Sequence, residues 1–166
     1  MIFELPAALP EGFAPENILV NGPAKHHWLP RHAQPGLIVN FDSAAEALAL
    51  APLARRLRWT VGLRLLTREE FDPENRQWPT QFGLTGDEAI PLIHRLRRIG
   101  LDPQIAHFHL RTNVASPASY ERALHEVAAI CRAGRWTPRV IDVGGGFPPN
   151  HVFTHDGQAV AADFDL

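Results

Sequence analysis

The chain has 166 residues, 45% hydrophobic and 20% charged, with a formal net charge of −2. This suits one globular domain with a sizeable core and gives no electrostatic reason to expect nucleic acid or a membrane surface as partner. A single cysteine, Cys131, excludes an internal disulfide framework and any Cys-rich zinc site. No apolar run approaches the roughly 20 residues needed to span a bilayer. The start, MIFELPAALPEGF, lacks the basic and small-residue features of a signal peptide, so a cytoplasmic location is expected.

Strand-like and helix-like segments alternate along the chain. NILVNG (17–22) reads as a short strand closed by Gly22 and Pro23. HHWLPRHA (26–33) reads as a short helix interrupted by Pro30, and GLIVNF (36–41) as a second strand. The run 42–57 predicts a helix with Asp42 or Ser43 as its N-cap, and Glu46 three residues beyond Ser43 gives capping-box spacing. WTVGLRLL (59–66) predicts a third strand, followed by a long polar stretch over 67–86. A helix over 86–100 begins near Asp87 and stops at Gly100. PQIAHFHLR (103–111) predicts a fourth strand. The next helix, 116–134, has Ser116 as cap, Pro117 in its first turn and Gly134 at its end. RVIDV (139–143) is the fifth strand, and the tail from 150 shows no period.

Such alternation specifies parallel βαβ units, as an open doubly wound sheet or as part of a (β/α)8 barrel. Both architectures bind ligands at the C-terminal ends of their strands. There the sequence offers Asn21 and Gly22, Asp42 and Ser43, Arg64, His107 and His109, and Gly144, Gly145 and Gly146. Three glycines after a strand let backbone N–H groups approach an anion, typically a phosphate. The alternative is a plain turn or the close packing of a neighbouring loop. The two histidines of HFH share one side of a strand and suit metal ligation, stacking on a flat ring, or simple packing. No third ligand stands at a metal-site spacing. Arg64 inside an apolar strand is either surface-facing or a functional cation, and the single lysine, Lys25, reads as a solvated turn residue. The His26–His27 pair reads as solvated surface, and Cys131, Tyr120 and Trp136 as packing residues.

Taken together and in order, ILVNGPAK, VNFDSAAEAL, VGLRLL, QFGL, AHFHLRT and VIDVGGGFP resemble the group IV pyridoxal-phosphate decarboxylases, the ornithine, diaminopimelate and arginine decarboxylases. The resemblance covers about residues 12–148 and leaves 149–166 as an irregular tail. It implies a single partial PLP-binding barrel, lacking the first and last strands and the C-terminal β-domain. It implies pyridoxal 5'-phosphate as cofactor and an amino acid as substrate of the full-length protein. By position, His109 would stack on the cofactor ring, Gly144, Gly145, Gly146 and Thr112 would bind its phosphate, and Arg64 and Asn21 would lie beside the ring.

The resemblance assigns no catalytic residue within this chain and no metal ligand. The family's Schiff-base lysine belongs to the first barrel strand, and Lys25 aligns with a different family lysine. Gln81 replaces the family's lysine before FG, and Leu110 and Arg111 stand where a glycine-containing turn is common. The chain alone is therefore expected to be inactive as a carboxy-lyase. Its open sheet edges predict a homo-oligomer or a piece of a longer protein. Two alternatives remain: a non-catalytic relative that keeps the fold, and another phosphate-binding barrel enzyme such as an amino-acid racemase.

Overall fold

A computed structural model of the chain describes residues 4–70, 82–111, 114, 116–147, 151–153 and 156–161. Five short apolar runs become strands: β1 (Leu19–Val20), β2 (Ile38–Phe41), β3 (Thr60–Arg64), β4 (Ile105–His107) and β5 (Val140–Asp142). They pair in parallel in the order β1-β2-β3-β4-β5. This uninterrupted order decides between the two architectures. A doubly wound sheet reverses its strand order, which sends helices to both faces. With right-handed crossovers, an unreversed order lays every helix on one face. The sheet is part of a (β/α)8 barrel.

Helix α1 (Glu4–Ala8) precedes the sheet, and α2 (Ala44–Arg56), α3 (Gly86–Arg98) and α4 (Pro117–Ala133) follow β2, β3 and β4. The three long helices lie side by side, α2 on α3 and α3 on α4. Alternate strand residues point toward them. Val39, Phe41, Val61, Leu63, Ala106 and Phe108 are 1% exposed or less, and they meet Leu50, Ala54, Ile93, Leu96 and Ala123 in one core. Each fully buried side chain of Leu, Ile, Val or Phe size contributes about 1.5–3 kcal/mol.

The caps follow the sequence with two departures. Thr85 and Glu88 close a full capping box on α3, one residue before the expected start. Ser43 accepts from the backbone N–H of Glu46, but the Glu46 carboxylate does not return to the cap; it is drawn into a buried ion pair described below.

The connections from helix back to strand share one geometry. A left-handed residue follows each long helix: Arg58 (φ 53°), Gly100 (φ 75°) and Arg135 (φ 47°). The next residue, Trp59, Leu101 or Trp136, is buried and donates its backbone N–H to the carbonyl five positions back. These are the long-range bonds of a Schellman motif. Both indoles then donate onward, Trp59 to the Gln34 carbonyl and Trp136 to the Pro103 carbonyl, each at 2.8 Å. Gly134 is not the left-handed residue; a Cβ there would fit tightly, 3.2 Å from Ile93 Cδ1 and 3.3 Å from the Ile130 carbonyl oxygen.

Residues 26–33 do not form one helix. Two 3-10 turns, Lys25–His27 and Leu29–Arg31, meet at Trp28, because Pro30 has no N–H to continue a ladder. Within the tail, β6 (His151–Phe153) and β7 (Ala159–Ala161) pair antiparallel, a local hairpin where no period was visible. At the two ends of the parallel sheet, Leu19 is 40% exposed, Val140 50% and Ile141 43%. The described residues thus present two open edges.

Candidate functional site

The strand residues that point away from the helices fill the concave side of the sheet. At the C-terminal end these positions are polar: Asn21, Asn40 and Asp42, Arg64, His107 and His109, and Asp142. Seven of the residues around one cavity of about 490 Å³ are Asn21, Arg64, Phe82, His107, His109, Gly144 and Gly145. Five of the expected site residues, Asn21, Arg64, His109, Gly144 and Gly145, therefore come together. Gly146 follows Gly145 in the same turn, and Thr112 and Gln81 fall outside the described residues.

Asp142 organises the mouth. Its Oδ2 is 2.9 Å from His107 Nδ1 and accepts from Asn40 Nδ2 at 3.4 Å, while Oδ1 accepts the Gly144 N–H at 3.0 Å. His107, first, and the Gly144 N–H hold this carboxyl below the usual range, against the effect of burial. Asn40 also donates to Asn21 Oδ1 at 2.9 Å. Gly62 leaves the space that Asn40 occupies: a Cβ there would lie 2.0 Å from Asn40 Oδ1.

Arg64 is a partnered cation facing the cavity rather than a surface residue. Its Nη2 is 2.9 Å from Glu70 Oε1, its Nη1 is 3.6 Å from Asp42 Oδ1, and its guanidinium lies 4.9 Å from the centre of the Phe82 ring. His109 is half-buried, and its Nδ1 accepts the Gly145 N–H at 3.1 Å. Burial, then the Arg64 cation, then His107 lower the His109 pKa below its ordinary value, opposed by Asp142. A neutral ring is what this acceptor requires.

The glycines divide by role. Gly144 (φ 69°) and Gly146 (φ 92°) are left-handed, and a Cβ on either would meet backbone at 2.8 Å (Phe108 O) or 2.5 Å (Arg111 O). Close packing of a neighbouring loop selects both. At Gly145 a Cβ would meet only His109 Cε1, at 3.6 Å, on the cavity side. Gly145 is the one that leaves room for a guest.

Lys25 departs from the solvated turn residue expected of it. It is completely buried, with Nζ 2.6 Å from Glu46 Oε1 and also bonded to the Gly22 carbonyl. Glu46 Oε2 accepts the Lys25 backbone N–H at 2.7 Å, and Oε1 accepts the Asp42 N–H at 3.0 Å. Burial lowers the Lys25 pKa, opposed chiefly by Glu46. Sequence reading assigned Asp142 no role in the site and suggested a capping role for Glu46. The available signal was an acid ending an apolar strand, and a lone lysine that would need a partner if buried. Among the described residues, no cluster of three His, Cys, Asp or Glu could hold a metal ion, and no helix is long and apolar enough to cross a membrane.

The family model described as pyridoxal-dependent decarboxylase, pyridoxal binding domain, matches residues 2–162. The chain belongs to this family. A biosynthetic arginine decarboxylase of Pseudomonas aeruginosa is 30% identical over 52% of this chain and 14% of its own length. The ornithine decarboxylase of Neurospora crassa is 26% identical over 98% of this chain and 34% of its own. The crystal structure of the Paramecium bursaria Chlorella virus arginine decarboxylase has the same fold, with a TM-score of 0.72 at 21% identity, over 88% of this chain and 40% of that one. The chain therefore spans well under half the length of these decarboxylases, and its five-stranded sheet is a part of a barrel.

The donor set fits the family's cofactor. A flat imidazole, a guanidinium and a glycine turn open on its cavity side meet at one mouth, and the cavity between them is of small-molecule size.

Proposed function

We propose that this stretch holds the ring and phosphate of pyridoxal 5'-phosphate within the barrel of an amino-acid decarboxylase. The observation that carries the reading is the 3.1 Å contact between His109 Nδ1 and the Gly145 N–H at the cavity mouth. It joins a stacking ring to an anion donor. His109 supplies a flat partner for the ring, and Arg64 and Asn21 border it. Gly145 and Gly146, supported by Gly144, offer the phosphate backbone N–H groups, with Thr112 as hydroxyl partner by sequence position. The Gly145 N–H, which His109 Nδ1 accepts in this structure, would be a donor offered to the phosphate, with the His109 imidazole beside it as the flat partner. Bound pyridoxal phosphate supplies an electron-withdrawing ring that stabilises the charge left when carbon dioxide departs.

The chain's single lysine is buried against Glu46, so this stretch offers binding rather than an accessible amine. The same observation favours a second reading, a non-catalytic relative that binds the cofactor without using it. Both readings predict saturable pyridoxal phosphate binding by the full chain, followed by absorbance or fluorescence. His109→Ala should weaken that binding about 2–10-fold, the worth of one aromatic contact. Absence of binding by the wild-type chain overturns both.

A further inference from the structure

We propose that Tyr120 is a positioning residue that fixes the direction of the glycine turn's peptide groups. This rests on the reading of the turn as the phosphate seat. Tyr120 sits in the first turn of α4, 7% exposed, and its hydroxyl donates to the Gly145 carbonyl at 2.8 Å. Its ring stacks on Phe147, just past the turn, with centroids 5.0 Å apart and planes within 5°. The Phe108 ring is a second, tilted neighbour, at 6.5 Å and 52°.

The consequence follows from peptide geometry. The bond between Gly145 and Gly146 is planar and trans, so the carbonyl of Gly145 and the N–H of Gly146 point in opposite directions. Holding the carbonyl against α4 turns the Gly146 N–H away from α4. Glycines flanking a peptide permit its flip at little steric cost, since neither has a Cβ to oppose it. The hydroxyl makes one orientation preferred before any ligand arrives. Burial raises the phenol's pKa, so the donor proton stays in place across the neutral range. Tyr120 acts on the Gly146 N–H through the Gly145 carbonyl rather than by contact with the ligand.

The test separates the two ends of the ligand. The full chain is titrated with pyridoxal 5'-phosphate and with pyridoxal, which lacks the phosphate, in wild type and in Tyr120→Phe. The variant keeps the stacked ring and removes only the hydroxyl. The expected result is a loss of about 3–10-fold for pyridoxal phosphate and none for pyridoxal. An equal loss for both, or no loss for either, overturns the positioning role. A wild-type chain that binds both ligands equally overturns the phosphate seat itself, and the role of Tyr120 with it. Should Tyr120→Phe fail to fold by circular dichroism, Phe147→Leu serves. It is half exposed and leaves the hydroxyl but loosens its ring. A loss selective for pyridoxal phosphate supports the proposal, and no selective loss overturns it.

Discussion

Asp142 shows how much one side chain holds at this mouth. Its two oxygens meet His107, Asn40 and the N–H of Gly144, so removing the carboxylate releases three groups. Its pKa is lower in the folded protein than the value of about 3.9 expected of an unfolded chain. The unfolded state therefore takes up the proton first as pH falls. The stabilisation is complete above about pH 4 and is lost as pH drops through the folded value. Asp142→Asn should lower the thermal midpoint at pH 7, and the gap to wild type should narrow below about pH 4, read from melting curves at stepped pH. The glycines beside Asp142 were legible in sequence as a special turn. Their division was not, because Gly144 and Gly146 are selected by Phe108 and Arg111, distant in sequence. Lys25 was misread for a related reason: its partner, Glu46, lies 21 residues on and looked engaged in capping α2.

At the scale of elements, Glu46 is the link between β1, β2 and α2. Replacing it with glutamine leaves the Lys25 ammonium buried without a counter-charge. Losing one partner of such a pair costs about 3–5 kcal/mol, whereas replacing both with apolar residues of similar volume is close to neutral. Urea unfolding should therefore show a large loss for Glu46→Gln and a much smaller one for the double variant Lys25→Met with Glu46→Leu. Helix ends were the most legible elements, since Ser43, Ser116, Pro117 and Gly100 act within one turn of chain. The segment 26–33 was less so. Helical composition competes there with Pro30 and with Ala24 in the left-handed region, and two short turns result. The hairpin of β6 and β7 depends on pairing between segments too short to show a period.

For the whole molecule, strand order carried the information that sequence could not. Alternation of strands and helices fits two architectures, and only the pairing partner of each strand separates them. Among the described residues, the unreversed order leaves β1 and β5 as edges with apolar side chains half in solvent. Unpaired parallel edges of this kind recruit further strands. Sedimentation of the isolated chain should therefore show association that grows with concentration, and Val140→Lys on the β5 edge should reduce it. A stable monomer across the range overturns this expectation.

The repeated turn that returns each long helix to the sheet bears on how such a chain can change. Arg58, Gly100 and Arg135 occupy one conformation, and Trp59, Leu101 and Trp136 seal it. At the opposite end the cavity residues Asn21, Phe82, His109 and Gly145 follow four different strands. One rim is thus built from a repeated part that holds the strands in step, while the other is built from groups tied to one another across strands, as His109 is to Gly145 and Arg64 to Asp42. Substitutions that alter ligand choice can accumulate at the second rim without renegotiating the first, a division of labour suited to a family whose members act on different amino acids.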